Sequence, residues 1–353
     1  MWRGDGRDRG RGLGRARPWH VLRCRASAGK PAPTKADAHG SKPKSAGVSR
    51  IAKLAVVGVG LVGGSFALAL KAAGRVETVV GIGRSRENLD AAVALGIVDR
   101  AIASDADWTR ELADADLVLL ATPVAQFPAL FAAMAGRLPP HAVLTDAGST
   151  KQNVIAAARA HLGPALPRFV AGHPIAGTEH TGAAAAFATL YRDRNVVLTP
   201  IPENDPAAVA AVTALWIACG ARVRELDAEV HDRIFAAVSH LPHLLAFGLV
   251  DLLAARPDAA EVFRYAASGF RDFTRIAAGS PEMWRDIALA NREALLGEID
   301  AYRVELDRIA AMVAAGDGAA LEAVFTRAAI ARRAWGAQFD AGPALAADGP
   351  REP

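Results

Sequence analysis

The segment Gly172-His173-Pro174-Ile175-Ala176-Gly177-Thr178-Glu179 sets an imidazole directly before a proline and a carboxylate six residues further on. Proline at 174 pushes His173 toward extended backbone, which narrows where its ring can point. An imidazole of unperturbed pKa about 6.5 accepts a proton near neutral pH, so His173 is a candidate general base. A second motif, Asp146-Ala147-Gly148-Ser149-Thr150-Lys151, closes a predicted strand. Its Ser149 is expected to hydrogen-bond the imidazole and fix its orientation. A third motif runs from His231-Asp232 to Ser239-His240-Leu241-Pro242-His243. The His-x-x-His pair has metal-ligand residue types, but no third ligand follows at usable spacing, and no metal is expected. Pro242 is expected to kink this helix and turn His240 and His243 inward. His231 reads as a helix-start residue. A fourth motif, Gly269-Phe270-Arg271-Asp272-Phe273-Thr274-Arg275, offers two guanidinium groups at i,i+4, and such a fork binds and orients a carboxylate.

A nucleotide site is legible nearer the N-terminus. Gly58-Val59-Gly60-Leu61-Val62-Gly63 follows an apolar β-type run and opens a helical one. In that context the first glycine permits a tight turn, the second lets backbone approach a pyrophosphate, and the third lets helix and strand pack closely. The helix N-terminus then faces the phosphates with free N–H groups. About 20 residues on, NAD-binding versions carry an acidic residue for the ribose 2′-OH. This chain reads Arg84-Ser85-Arg86 there, with no carboxylate before Glu87. Two arginines and a hydroxyl suit a 2′-phosphate, so NADP is expected ahead of NAD. Thr122 and Pro123, closing the run LVLLAT, complete the expected cofactor wall.

The elements that must position these groups follow from periodicity. Short apolar runs at 54–58, 78–83, 117–122, 143–148, 168–172 and 195–199 alternate with Ala-rich helical stretches, and 221–226 adds an edge-strand candidate. Such alternation predicts a parallel sheet with helices on both faces. After Asp227 the pattern is helical to about Phe339, with breaks expected at Gly269 and at Gly279–Pro281. The chain therefore divides into a basic tail over 1–49, an α/β dinucleotide-binding domain over 50–227, a helical domain over 228–340 and a short polar tail over 341–353. Two uncharged runs, 54–70 and 117–136, are long enough to suggest membrane spans. Four glycines in one and two prolines in the other mark them instead as strand-turn-helix units.

Charge excludes one class of function. The net +4 arises in the first 50 residues, which hold 13 basic and 3 acidic residues, leaving 28 basic and 34 acidic for the rest. The folded part is mildly acidic and offers no footprint for nucleic acid. The Arg-rich, acid-poor tail has the composition of disorder and fits an organellar transit peptide or a start codon set too early. A cytoplasmic location is the expectation, since Cys24 and Cys219 alone support neither a disulfide framework nor a zinc cluster.

Taken together and in order, GxGxxGGS, DAGSTK, GHPIAGTEHTG, HD(x7)SHLPH and GFRDFTRIA resemble the prephenate/arogenate dehydrogenase family of tyrosine biosynthesis, from about Ile51 to about Phe339. The resemblance implies a Rossmann-type α/β domain followed by an all-α dimerisation domain, hence a homodimer. It implies oxidative decarboxylation of a cyclohexadienol. Hydride leaves C4 for the nicotinamide, the C4 hydroxyl loses a proton, and the ring loses its C1 carboxylate as CO2. His173 is then the proton acceptor with Ser149 orienting it, and Arg275 holds a substrate carboxylate. Ser239, His240, His243 and Trp284 line the substrate; a Glu179 carboxylate facing the side chain that differs between prephenate and arogenate would favour arogenate, or admit both substrates if it is shared with another cation. The flanks are too short for the chorismate mutase or ACT domains of some relatives, so tyrosine inhibition is expected at the active site. Two rivals remain. A β-hydroxyacid-type dehydrogenase is disfavoured because no lysine follows Lys151. A non-catalytic dinucleotide sensor would not need Ser149, His173 and Arg275 together.

Overall fold

The computed structural model describes residues 50–340, with side chains described to residue 337. The expectations for 1–49, including Cys24, and for 341–353 lie outside the described residues.

The first half alternates strands and helices as expected. Six strands form one parallel sheet: β1 Ile51–Val57, β2 Val76–Gly83, β3 Arg100–Ala103, β4 Leu117–Leu120, β5 Val143–Asp146 and β6 Phe169–Val170, in the order β3-β2-β1-β4-β5-β6. Between them run α1 Leu61–Ala72, α2 Arg86–Ala94, α3 Phe127–Met134 and α4 Gln152–His161. Side chains alternate across a strand. Leu54 and Val56 of β1 thus face one buried cluster, with Phe66 and Trp216, while Ala55 and Val57 face another, with Phe127 and Phe131. Helices cover both faces, which is why Leu117–Leu120 is buried at every position. The apolar runs suspected of spanning a membrane are β1–α1 and β4–α3.

Two details depart from the expected sheet. The short edge strand β3 is missing from the sequence reading, because Arg-Ala-Ile-Ala offers only one large apolar residue. At Ala171 the chain also leaves the parallel sheet. β7 Gly172–Pro174 pairs antiparallel with β8 Asn195–Leu198, and after α5 Pro206–Ala218 the strand β9 Arg222–Glu225 joins β8 in parallel. The candidate edge strand at 221–226 therefore belongs to a second, three-stranded sheet, and His173 stands mid-strand in it.

Beyond Glu225 the described residues are helical. α6 Ala228–Phe235 and α7 Leu241–Ala254 are joined by one wide π turn, Ala236–His240. Pro242 explains the interruption: it has no N–H to bond back one turn, and the helix widens instead. α8 Ala259–Arg264, α9 Ser268–Thr274, α10 Pro281–Ala290, α11 Arg292–Ala315 and α12 Gly318–Asp340 follow. The break expected at Gly269 falls just before it, since Gly269 lies inside α9. The break at Gly279–Ser280 is as expected, with Ser280 Oγ capping α10 and Pro281 at its first turn. A break at Gly316, in left-handed conformation, separates α11 from α12.

Candidate active site

The glycine loop sits at the carboxyl end of β1, where the strand order reverses between β1 and β4. Ligands of open α/β sheets bind in this crevice. Gly58 has φ +102°, and a Cβ there would meet the Ala121 carbonyl oxygen at 2.5 Å. A Cβ on Gly63 would collide with the Gly58 carbonyl oxygen. A Cβ added at Gly60 would meet nothing within 4 Å, so that side of its backbone is open to a ligand. The three glycines thus serve turn, approach and packing as expected, and the loop fits a pyrophosphate. Asn88 holds it in place: its side-chain amide donates to the Val59 carbonyl at 2.7 Å and accepts from the Ala183 N–H at 2.7 Å. Thr122 and Pro123 follow β4 across the same crevice. Ser85 Oγ accepts from the Asn88 N–H as the cap of α2. Arg84 and Arg86 are exposed and lie against Glu282 and Asp105.

A buried ion pair holds the segment that carries His173. Asp146, the last residue of β5, is fully enclosed, and so is Lys151. Asp146 accepts the Lys151 ammonium and the N–H groups of Gly148 at 2.7 Å and Gly172 at 2.9 Å. The Lys151 ammonium also donates to the Gly172 carbonyl at 2.6 Å. Burial pushes the carboxyl up and the ammonium down, and their mutual attraction opposes both shifts. The pair ties the DAGSTK loop to β7, the strand that carries His173.

His173 is oriented by His231, not by Ser149. His173 Nδ1 lies 2.8 Å from His231 Nε2, and His231 Nδ1 lies 2.8 Å from Asp232 Oδ1. Asp232 also accepts the backbone N–H groups of Lys151 at 2.8 Å and Gln152 at 2.9 Å, capping α4 from the helical part. Burial would raise its carboxyl, but the bonds from His231, Gln152 and Lys151 outweigh that and hold it below its usual range. An ionised Asp232 accepts a hydrogen bond from the Nδ1–H of His231, so His231 Nε2 carries the lone pair. It accepts the Nδ1–H of His173, which leaves His173 Nε2 unprotonated. Burial, then the neighbouring His231, Lys151 and His240, press the His173 pKa well below the ordinary value. The result is a neutral imidazole with one fixed accepting nitrogen. Ser149 makes no hydrogen bond with His173 among the described residues, because the nitrogen it was expected to hold is already taken. His231, expected to be a mere helix-start residue, is wholly buried.

The other expected substrate residues assemble around α7 and α10. Widening of the helix turns His240 inward, where it is 2% exposed. Asn291 donates to His240 Nδ1 at 3.0 Å, so His240 Nε2 bears hydrogen and stands buried without a partner among the described residues. A buried donor of this kind is normally satisfied, and a ligand oxygen would satisfy it. His243 stacks on Trp284 with centroids 3.6 Å apart and donates from Nδ1 to the Ser239 carbonyl at 2.8 Å. Arg275, just after α9, pairs with Glu179 at 3.2 Å, so the carboxylate is shared with a cation. Arg271 lies against Asp272 on the surface. A cavity of about 240 Å³ lined by His240, Leu244, Phe247, Trp284, Ile287 and Leu295 adjoins this group but does not reach His173 or Arg275. Among the described residues no cluster of three metal-ligating side chains occurs.

A glycine loop in the sheet crevice and a buried, neutral His173 imidazole fit an oxidoreductase with a nucleotide-binding α/β part and a helical part. The chain belongs to the prephenate dehydrogenase family. Residues 66–225 match the model of the prephenate dehydrogenase nucleotide-binding domain, and residues 227–327 match that of its dimerization domain. Among relatives, cyclohexadienyl dehydrogenase of Zymomonas mobilis is 36% identical over 292 residues, covering 82% of this chain and 98% of its own. Prephenate dehydrogenase of Bacillus subtilis is 39% identical over 256 residues, covering 72% and 68%. Among solved structures, prephenate dehydrogenase from Aquifex aeolicus in complex with hydroxyphenyl propionate and NAD+ superposes with a TM-score of 0.75 at 35% identity, covering 82% of this chain and 99% of that one.

Proposed function

We propose that this chain catalyses NAD(P)-dependent oxidative decarboxylation of prephenate, arogenate or both, in tyrosine biosynthesis. The carrying observation is the hydrogen-bonded line from Asp232 through His231 to His173, which presents an unprotonated Nε2. That nitrogen takes the proton of the ring hydroxyl. The nicotinamide, when bound, accepts the hydride from the same carbon. Ser149, whose hydroxyl is unpaired among the described residues, contacts the substrate hydroxyl in this reading. Arg275 binds a substrate carboxylate on leaving Glu179, and His240 Nε2–H donates to a second substrate oxygen. Relatives named for prephenate, cyclohexadienyl and arogenate dehydrogenation support the substrate class. Arg84 and Arg86, standing where a carboxylate would meet the ribose 2′-OH, support NADP beside NAD. A buried free thiol at Cys219 suits the cytoplasm. The test is a two-by-two assay of initial rates, with prephenate or arogenate and NAD or NADP. Silence in all four combinations with dinucleotide still bound would replace the enzyme by a sensor.

The base sets the pH profile. His173 must be neutral to act, and its pKa is depressed, so the active form persists below the ordinary histidine range. The acid limb of kcat/KM is expected below about pH 6.5. A limb at or above that value, not traced to substrate titration, would remove His173 from the role.

We also read the division between the two parts as falling at 227/228, and the helical part as a homodimer interface. The helical run 228–254 is long and apolar enough to cross a membrane by length and composition alone, yet it is interrupted by the π turn and carries His231, His240 and His243. Leu252, Leu289, Val304 and Val313 are each more than 60% exposed. Apolar faces of this extent call for a partner, and the match to a dimerization domain supports a second copy of this chain. Sedimentation is expected to give twice the chain mass; a concentration-independent monomer would count against it.

A further inference from the structure

One ion pair links the nucleotide crevice to the helical part. Arg84 directly follows β2, and the Gly58 N–H donates to the Ile82 carbonyl at 2.8 Å. The turn 84–86 is thereby held beside the glycine loop, where dinucleotide folds meet the adenosine ribose. The strand brings an arginine to this place. The carboxylate that it lacks arrives from 198 residues away, on the first turn of α10. Glu282 Oε1 and Oε2 accept Arg84 Nη1 and Nη2 at 3.1 and 3.0 Å. This is a two-bond fork that uses one planar edge of the guanidinium. Glu282 stays charged there, since Arg84 holds its carboxyl below the usual range. Asp286, one turn along the same helix and itself paired with Arg285, adds negative field on Arg84.

We propose that Glu282 is a cofactor-discriminating residue: it occupies the guanidinium that a 2′-phosphate would use, and so shifts the chain from NADP toward NAD. The proposal rests on the dinucleotide reading above. A 2′-phosphate must turn Arg84 away from the fork while a carboxylate stands close by. A 2′-hydroxyl brings no charge and leaves the fork intact. Both side chains are partly exposed, so the discrimination is modest, about three- to tenfold.

The test is calorimetric titration of NADP+ and NAD+ into the wild-type chain and into Glu282→Gln, Arg84→Ala and the double variant. Gln keeps the shape and removes the charge. Glu282→Gln is expected to tighten NADP+ relative to NAD+ by about three- to tenfold. Arg84→Ala should weaken NADP+ relative to NAD+, and in that background the effect of Glu282→Gln should shrink. If Glu282→Gln leaves the ratio of the two dissociation constants unchanged while NAD+ still binds, the proposal fails and the dinucleotide reading stands. If the wild-type chain binds neither dinucleotide, both fail.

Discussion

His173→Asn is expected to lower kcat by about 10²–10⁴-fold while leaving dinucleotide affinity intact. The replacement keeps a hydrogen-bonding side chain of similar reach but removes the accepting nitrogen. His173 is held by β7 and by His231; the glycine loop belongs to a different segment, so cofactor binding gives an independent report on folding. His231→Ala supplies the second half of the argument. It leaves His173 in place but frees its Nδ1, so the imidazole divides between two tautomers and two ring orientations. A smaller loss, about tenfold, follows if His231 positions rather than reacts. Steady-state rates with both variants separate the roles. An unchanged kcat in His173→Asn would place the proton acceptor elsewhere. Equal, complete loss in both would point to collapse of the site.

Lys151→Met is expected to cost about 3–5 kcal/mol of stability at neutral pH, because it strands a carboxylate in a fully enclosed site. Asp146 accepts three hydrogen bonds there, one of them from the ammonium. Without Lys151, burial drives the Asp146 pKa further above its unfolded value. A carboxyl raised in the folded state binds its proton more tightly when folded, so stability falls as pH rises from the unfolded pKa toward the folded one. The deficit should therefore be largest at neutral pH and shrink as pH falls toward about 4. Urea unfolding at two pH values reads this directly. Asp146→Asn combined with Lys151→Met should recover part of the loss, since it removes the stranded charge. A deficit of under about 1 kcal/mol, equal at both pH values, would mean that water reaches the pair.

The glycine loop, the strand-helix alternation and the switch to an all-helical second part were legible in the sequence. Each depends on neighbours within a few residues: a turn that needs Gly58, a proline that interrupts a helix at 242, a cap at Ser280. The five motifs together also marked the family. Three matters were decided only by tertiary structure. His231 rather than Ser149 meets His173 Nδ1, which depends on how α6 docks against β7, and the sequence places His173 and His231 58 residues apart. Asp146 and Lys151 stood in plain view inside DAGSTK, but only their enclosure makes them a buried ion pair that ties one loop to the next strand. Glu282 reached Arg84 across the fold. Spacing along the chain dictates local backbone geometry. A proton's position, a carboxyl's charge and a guanidinium's partner depend instead on burial and on contact between distant segments, and those exist only once the two parts have packed.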